Sequence, residues 1–341
     1  MYDYVFVTHL PCFYKVNLYR ELAKELKIFV IFISDSTIEK RSDDFIDLNS
    51  LNFDYKVINK GHFQSRCILN SIFRIYKVLK NTKFNKIIVS GWDLLEFWFI
   101  ILFFSKHKNC LALESTVYES HITGLKGLLK KYFLLRISTV FASGSMHHDL
   151  LKKLNYQGDV RITKGVGIIN KPDIIFHEKI YNKKYLYLGR LTYVKNLKIM
   201  IEIFNSLANY EFTIIGDGPQ KDILKEMANT NIKFIDSIDN KDLQKYFLKY
   251  DILILPSICE TWGLVVEESL YYGLPVIISK YCGSSDLIQH CKNGYIVDPY
   301  DISLIKETIV NVDEEKYHSL VEGIRKISIL DKDLDQINSY Q

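Results

Sequence analysis

The chain has little proline and modest glycine, six and sixteen residues in 341, and no low-complexity tract or internal repeat. That composition excludes collagen-like and Pro/Gly-rich disordered classes. Six cysteines (Cys12, Cys67, Cys110, Cys259, Cys282, Cys291) make no Cys-x-x-Cys pair and no Cys/His spacing of metal-ligand type. No metal centre is expected from them, and a disulfide framework is out of place in a chain this long, so they read as free thiols in a reducing compartment. A secretory leader is not expected, because Asp3 and Thr8-His9 interrupt the first apolar run. The most apolar stretch, Leu94 to Phe104, is too short to span a bilayer and carries Glu96. A cytoplasmic protein is the expectation, with a peripheral position at the inner face of the cell membrane as the option.

What is present is a large apolar fraction, 48%, enough to bury the cores of two ordinary domains. The net charge of +4 is unevenly spread. Residues 1–175 hold 25 Lys and Arg against 16 Asp and Glu, and the remainder holds 19 against 24. A basic first half suits an anionic neighbour, either a membrane surface or a phosphorylated acceptor.

Short apolar runs rich in β-branched residues recur between helix-like segments. Tyr4–Val7, Ile28–Ser34, Lys86–Val89, Cys110–Leu113 and Thr139–Ala142 read as strands in the first half. Tyr185–Leu188, Phe212–Ile215, Lys233–Ile235, Ile252–Leu255 and Pro275–Ser279 follow in the second. Their continuous hydrophobicity predicts parallel sheets covered on both faces. The rhythm lapses at Asn170-Lys171-Pro172-Asp173 and then restarts. Two doubly wound Rossmann-like α/β domains are therefore expected, at 1–175 and 176–317, facing a central cleft, with a final helix of about 318–341 returning to the first.

Three strand-end segments of the second half carry chemistry. Gly189-Arg190 follows one strand and Lys195-Asn196 lies five residues on, so one loop can aim two cations at a diphosphate. Gly216-Asp217-Gly218-Pro219 follows the next strand, where glycines permit a tight turn and close backbone approach to a ligand, though alone it reads equally well as a simple strand-to-helix turn. It is not the Gly-x-Gly-x-x-Gly dinucleotide fingerprint and has no phosphate-loop lysine. The third segment runs from Pro256 through Glu260, Trp262 and Gly263 to Glu268 and Ser269. A helix starting near Gly263 offers free N–H groups and its dipole to an anion. Glu268 can accept hydrogen bonds from ribose hydroxyls and Glu260 from a sugar. Either carboxylate alone reads equally well as a helix-surface residue.

Taken together, Pro256-Ser-x-x-Glu260-x-x-Gly263-Leu-Val-x-x-Glu268 and Gly273-x-Pro275-Val resemble the family-4 retaining glycosyltransferases of GT-B fold. Gly189-Arg190-Leu191, Lys195-Asn196, Gly216–Pro219, Cys282–Ile288 and Asn293–Val297 stand in that family's order. The resemblance implies an enzyme moving a sugar from a UDP- or GDP-sugar, UDP favoured, to a glycan or lipid-linked acceptor of surface polysaccharide or lipopolysaccharide biosynthesis. It implies that Arg190 and Lys195 neutralise the donor diphosphate and that Glu260 binds donor-sugar hydroxyls. Gly263, Leu264 and Val265 would lie around the phosphates, with Glu268 on the ribose and Gly189, Gly216 and Gly218 beside the nucleotide. No cofactor and no metal is expected, since fixed cations and a helix N-terminus take the metal's role.

The first half departs from the family's pattern. The loop after its first strand, Thr8-His9-Leu10-Pro11-Cys12-Phe13-Tyr14-Lys15-Val16-Asn17, has no glycine, leaving Lys15 or Asn17 as stand-ins or the loop to serve only the acceptor. Glu114 aligns where several members place a functional histidine, and His121 competes with it for the acceptor-side role. Gly124–Arg136 mixes cations with Leu and aromatics at helical intervals, as a helix lying on an anionic membrane would, and as would a helix buried on one face and solvated on the other. A nucleic-acid partner is not expected. Competing readings are a silent subunit of the same fold supporting a partner transferase, and an epimerase or phosphorylase. A nicotinamide oxidoreductase is disfavoured by the missing glycines.

Overall fold

A computed structural model describes residues 1–39, 43–174 and 179–341. The chain forms two units, Met1–Asn170 with Asp333–Gln341, and Lys171–Lys332.

The first unit holds seven parallel strands: β1 (Tyr2–Thr8), β2 (Ile28–Ser36), β3 (Asp54–His62), β4 (Phe84–Val89), β5 (Asn109–Leu113), β6 (Thr139–Ala142) and β7 (Asp159–Ile162). Their order is β3-β2-β1-β4-β5-β6-β7, so the winding reverses between β1 and β4. Helices α1 (Phe13–Leu22), α2 (Ile68–Lys80), α3 (Leu95–Phe103), α4 (Gly124–Leu135) and α5 (Ser145–Lys153) cover it. The alternation within β1 sorts the layers. Val5 and Val7 pack with Ile75 of α2, Phe97 of α3, Phe133 of α4 and Leu150 of α5. Phe6 turns the other way, to Val16 and Tyr19 of α1.

The second unit holds six parallel strands: β8 (Lys184–Leu188), β9 (Glu211–Ile215), β10 (Ile232–Ile235), β11 (Ile252–Leu255), β12 (Val276–Ser279) and β13 (Gly294–Val297). The order β10-β9-β8-β11-β12-β13 again reverses once, between β8 and β11. Its helices are α6 (Leu197–Asn205), α7 (Lys221–Met227), α8 (Leu243–Phe247), α9 (Leu264–Tyr271), α10 (Ile302–Val310) and α11 (Glu314–Arg325). Asp301 and Asp313 cap α10 and α11, their carboxylates accepting from Leu304 N at 2.9 Å and Lys316 N at 2.8 Å. The last helix, α12 (Ile329–Asn338), begins in the second unit and ends in the first.

All ten strands read from the sequence are present, in two doubly wound sheets. The units divide at 170/171 and at 332/333, the latter beyond the expected 317/318, while the expected 175/176 lies outside the described residues. The residues set those limits physically. Tyr317 and Ile324 of α11 are buried in the second core, Tyr317 stacking on Tyr181 at 5.2 Å. Tyr340 is buried in the first unit, stacked on Phe141 at 4.4 Å, while Lys164 pairs with Asp335 at 2.7 Å and Arg161 donates to Ser339 O at 2.9 Å. Among the described residues no helix is long and apolar enough to cross a membrane.

Lys179 is sunk into the second unit, where its ammonium donates to Phe247 O at 3.0 Å and Tyr250 O at 3.1 Å. Burial pulls its pKa from 10.5 to about 8, with Asp251 partly opposing. The unfolded chain therefore holds this proton more tightly than the folded one. The cost of burying the charge is present in full below pH 8, shrinks as pH rises, and is gone above 10.5. Lys179→Met should remove that component. The stability gained by the variant over the parent, read from urea midpoints, should be largest below pH 8 and fall across this range. A difference that does not change with pH would contradict the assignment.

Candidate functional site

In a doubly wound sheet the loops beyond the carboxyl ends of strands at the reversal point form the binding crevice. In the second unit those strands are β8 and β11, flanked by β9 and β12. The loops in question are the segments singled out in the sequence.

After β8 the chain turns at Gly189, exposes Arg190 and buries Leu191 completely. Leu191 N donates to Asp217 O at 2.9 Å and Gln220 N donates to Leu191 O at 3.0 Å, so the loops after β8 and β9 are laced together. A Cβ on Gly216 would stand 1.9 Å from Gly189 O, and one on Gly218 2.5 Å from Leu191 O. The chain's own backbone therefore requires glycine at both positions, as a strand-to-helix turn does. They set the shape of the loop that carries Arg190.

After β11 the loop is tied to the β8 loop by Ile258 N donating to Val194 O at 2.9 Å. This brings Lys195 and Glu260 together in an ion pair, with only 14% and 16% of their side chains exposed. Beneath them the buried Tyr187 donates its hydroxyl to Arg190 O at 2.9 Å. Its phenol is held well above the ordinary range by burial, with Glu260 adding to the effect and Arg190 opposing it. Arg190, Lys195 and Glu260 thus share one electrostatic neighbourhood.

Glu260 is held by its backbone as well as its side chain. Its N–H donates to Tyr281 O at 3.2 Å and its carbonyl accepts from Gly283 N at 3.0 Å. That pairing gives the Cys282–Ser285 segment its part in the site, which is to hold the Glu260 backbone. The Cys282 thiol lies under the loop, pushed up to about 12 by burial first and Glu260 second.

Helix α9 then starts at Leu264, after Gly263 at φ 93°. A Cβ at Gly263 would sit 2.9 Å from Leu255 Cδ2 in a conformation L-residues avoid. The amides of Leu264 and Val265 open the helix, at its positive dipole end. Glu268 is nearly buried on this helix and, after burial, adds to the upward shift that takes the Tyr272 phenol to about 12. Its neighbour Glu267, to which the sequence assigned nothing, is fully buried. It accepts from Trp262 Nε1 at 2.6 Å and Lys332 Nζ at 2.7 Å.

In the first unit the reversal point lies between β1 and β4. Lys15, buried on α1, pairs with Glu114 beyond β5 at 2.7 Å. The Lys15 proton is held more tightly than usual, since Glu114 and its neighbours outweigh the burial that opposes them. So the glycine-free loop supplies a cation to the carboxylate. Asn17 instead braces the chain, donating to Ile168 O at 3.1 Å and Asn170 Oδ1 at 2.8 Å. His121 is exposed in the loop before α4. A pair missed in the sequence is His9 and Asp93, at the ends of β1 and β4, with Nε2 and Oδ2 3.0 Å apart. Eighty-four residues separate them, and no local pattern announces the contact.

Two parallel-sheet α/β units with a cationic strand-end site define the class: the fold is that of the GT-B glycosyltransferases. HepE of Anabaena, solved with UDP-glucose, superposes with a TM-score of 0.73 at 14% identity, covering 99% of this chain and 98% of that one. Residues 170–327 match the family described as Glycosyl transferases group 1. Over 334 residues it is 24% identical to an uncharacterized 41.2 kDa protein in the cps region of Klebsiella pneumoniae, covering 94% of this chain and 83% of the relative. It is also 24% identical to the poly(ribitol-phosphate) alpha-N-acetylglucosaminyltransferase of Staphylococcus aureus, covering 84% of this chain and 61% of that relative.

Proposed function

We propose that this chain transfers a sugar from a nucleoside-diphosphate sugar, with UDP as the favoured nucleotide, to a glycan or lipid-linked acceptor in surface polysaccharide biosynthesis. One observation carries the reading. Lys195 and Glu260 reach the same point from the two strand ends flanking the sheet's reversal, next to Arg190 and the start of α9. A cation pair with a helix N-terminus suits a diphosphate, and a fixed carboxylate suits sugar hydroxyls.

In this reading the bond between the anomeric carbon and the β-phosphate oxygen breaks and one from the acceptor oxygen forms. The acceptor's proton passes to the departing phosphate, on the same face, so configuration is retained. Arg190 and Lys195 take up the charge developing on the leaving diphosphate, which makes the reaction independent of a metal. Glu268 holds the ribose. On the first unit Glu114, fixed by Lys15, is assigned to the acceptor hydroxyl. HepE being solved with UDP-glucose and the Klebsiella relative lying in a cps region support the donor class and the setting.

The test is a thermal-shift screen with UDP, GDP, ADP and their common sugar conjugates. A ligand at a hundred times its Kd should stabilise the chain by about 2.7 kcal/mol. Stabilisation by one base alone identifies the donor series. Indifference to every nucleotide would remove the reading and favour a silent supporting subunit. Proton NMR of the product's anomeric signal tests retention.

A further inference from the structure

The outer surface of the first unit carries a feature that sugar transfer does not use. Helices α2, α3 and α4 lie side by side on one face of the sheet. Tyr76 of α2 packs edge-on against Phe103 of α3 at 5.1 Å, and Trp98 of α3 meets Phe133 of α4 at 4.9 Å. Each sends one stripe into the core, yet the opposite stripe is also apolar. On α4, Leu125, Leu128 and Leu135 are 72%, 64% and 66% exposed, with Leu129 and Tyr132 beside them. On α2, Leu69 and Phe73 stand out, and on α3, Leu95, Leu102 and Phe103. Scattered exposed leucines need no explanation, but a run across three packed helices does.

Apart from one buried acid, the charges on these three helices all have one sign. Glu96 is the sole acidic residue within the three helices, and it is fully buried against Arg66 at 2.8 Å. The cations are Arg74, Lys77 and Lys80 on α2 and Lys126, Lys130 and Lys131 on α4. The acids bordering the layer, Asp93 and Glu119, lie in loops, and Asp93 is engaged by His9.

We propose that this α2-α3-α4 face docks on the surface of an anionic bilayer, its leucines and aromatics entering the headgroup boundary and its lysines meeting lipid phosphates. Lysines interleaved with leucines are the chemistry such an interface selects. The same pattern disfavours a second copy as occupant, because a two-fold pairing of this face sets like charges against each other. The docking rests on observations separate from the donor site, so either can fail without the other.

Flotation of the full chain with vesicles tests it. Vesicles of phosphatidylglycerol and phosphatidylcholine should carry the protein upward, those of phosphatidylcholine alone should not, and raised salt should weaken the binding. Leu128→Ser with Leu135→Ser should lower the partition coefficient by about tenfold or more, as should Lys126→Glu with Lys131→Glu. Neither pair reaches the core, and both should keep the parent's thermal unfolding and its nucleotide response. Parent protein that stays at the bottom with anionic vesicles overturns the proposal. So does a dimer in light scattering that the leucine variant dissolves, or a protein partner retained only by the intact face while flotation is absent.

Discussion

Lys332→Met should lower unfolding stability by about 3 to 5 kcal/mol. Lys332 places its ammonium 2.7 Å from Glu267, and the two side chains are 5% and 0% exposed. Removing the cation leaves the Glu267 carboxylate, still bonded by Trp262, buried without this counter-charge, which costs more than the pair ever contributed. Replacing both partners, Glu267→Gln with Lys332→Met, should recover much of the loss, because no isolated charge remains. Trp262, which also bonds Glu267, is the only tryptophan of the second unit, so in a background with Trp92 and Trp98 replaced by Phe a urea titration followed by tryptophan emission reports this unit. Gly263 follows Trp262 directly, so the single variant should loosen the start of α9 and weaken nucleotide binding as well. An unchanged urea midpoint would show that the pair is not buried as described.

Lys195 and Glu260 should separate binding from turnover. In the free protein Lys195 is already paired with Glu260, and a diphosphate must draw it away. Lys195→Ala removes a charge-assisted contact of about 1.5 to 3 kcal/mol, so affinity for UDP should fall about 10- to 150-fold by calorimetry. Glu260→Gln keeps the shape and removes the competitor. It should bind UDP at least as tightly as the parent, yet transfer sugar about a hundredfold more slowly, because the sugar loses an ionised partner. If Glu260→Gln weakened UDP as much as Lys195→Ala, the division of labour between sugar and phosphate would be wrong.

The sequence made the interior of both sheets legible and their margins less so. Every strand buried on both sides announced itself as an apolar run, from Tyr4–Val7 to Pro275–Ser279. The three strands that went unread, β3, β7 and β13, all lie at sheet edges. β3 is largely exposed, and β7 has only four residues, none fully buried. An edge strand has one neighbour and fewer apolar partners, so its sequence is less constrained.

The site shows the same division. Arg190, Lys195, Glu260 and Gly263 were readable because each sits at a fixed offset from a strand end, and local order carries that information. The Glu267–Lys332, Lys15–Glu114 and His9–Asp93 contacts join residues 65, 99 and 84 positions apart. Such pairs arise from topology, which spacing along the chain does not encode. The glycines carry a demand of the fold as well. At Gly216 the close approach is real, but the atom approached is a carbonyl of the same fold.

Residues 333–341 belong to the first unit, and this bears on how the protein is made. The second unit is spliced into the first, which emerges from the ribosome as residues 1–170 with Phe141 lacking its Tyr340 cover. That surface waits for the whole second unit to be synthesised before it can be sealed. Domains fold in the order in which they are made. Here the first to begin is the last to be finished, so a stalled or shortened chain leaves an exposed aromatic surface for chaperones to shield.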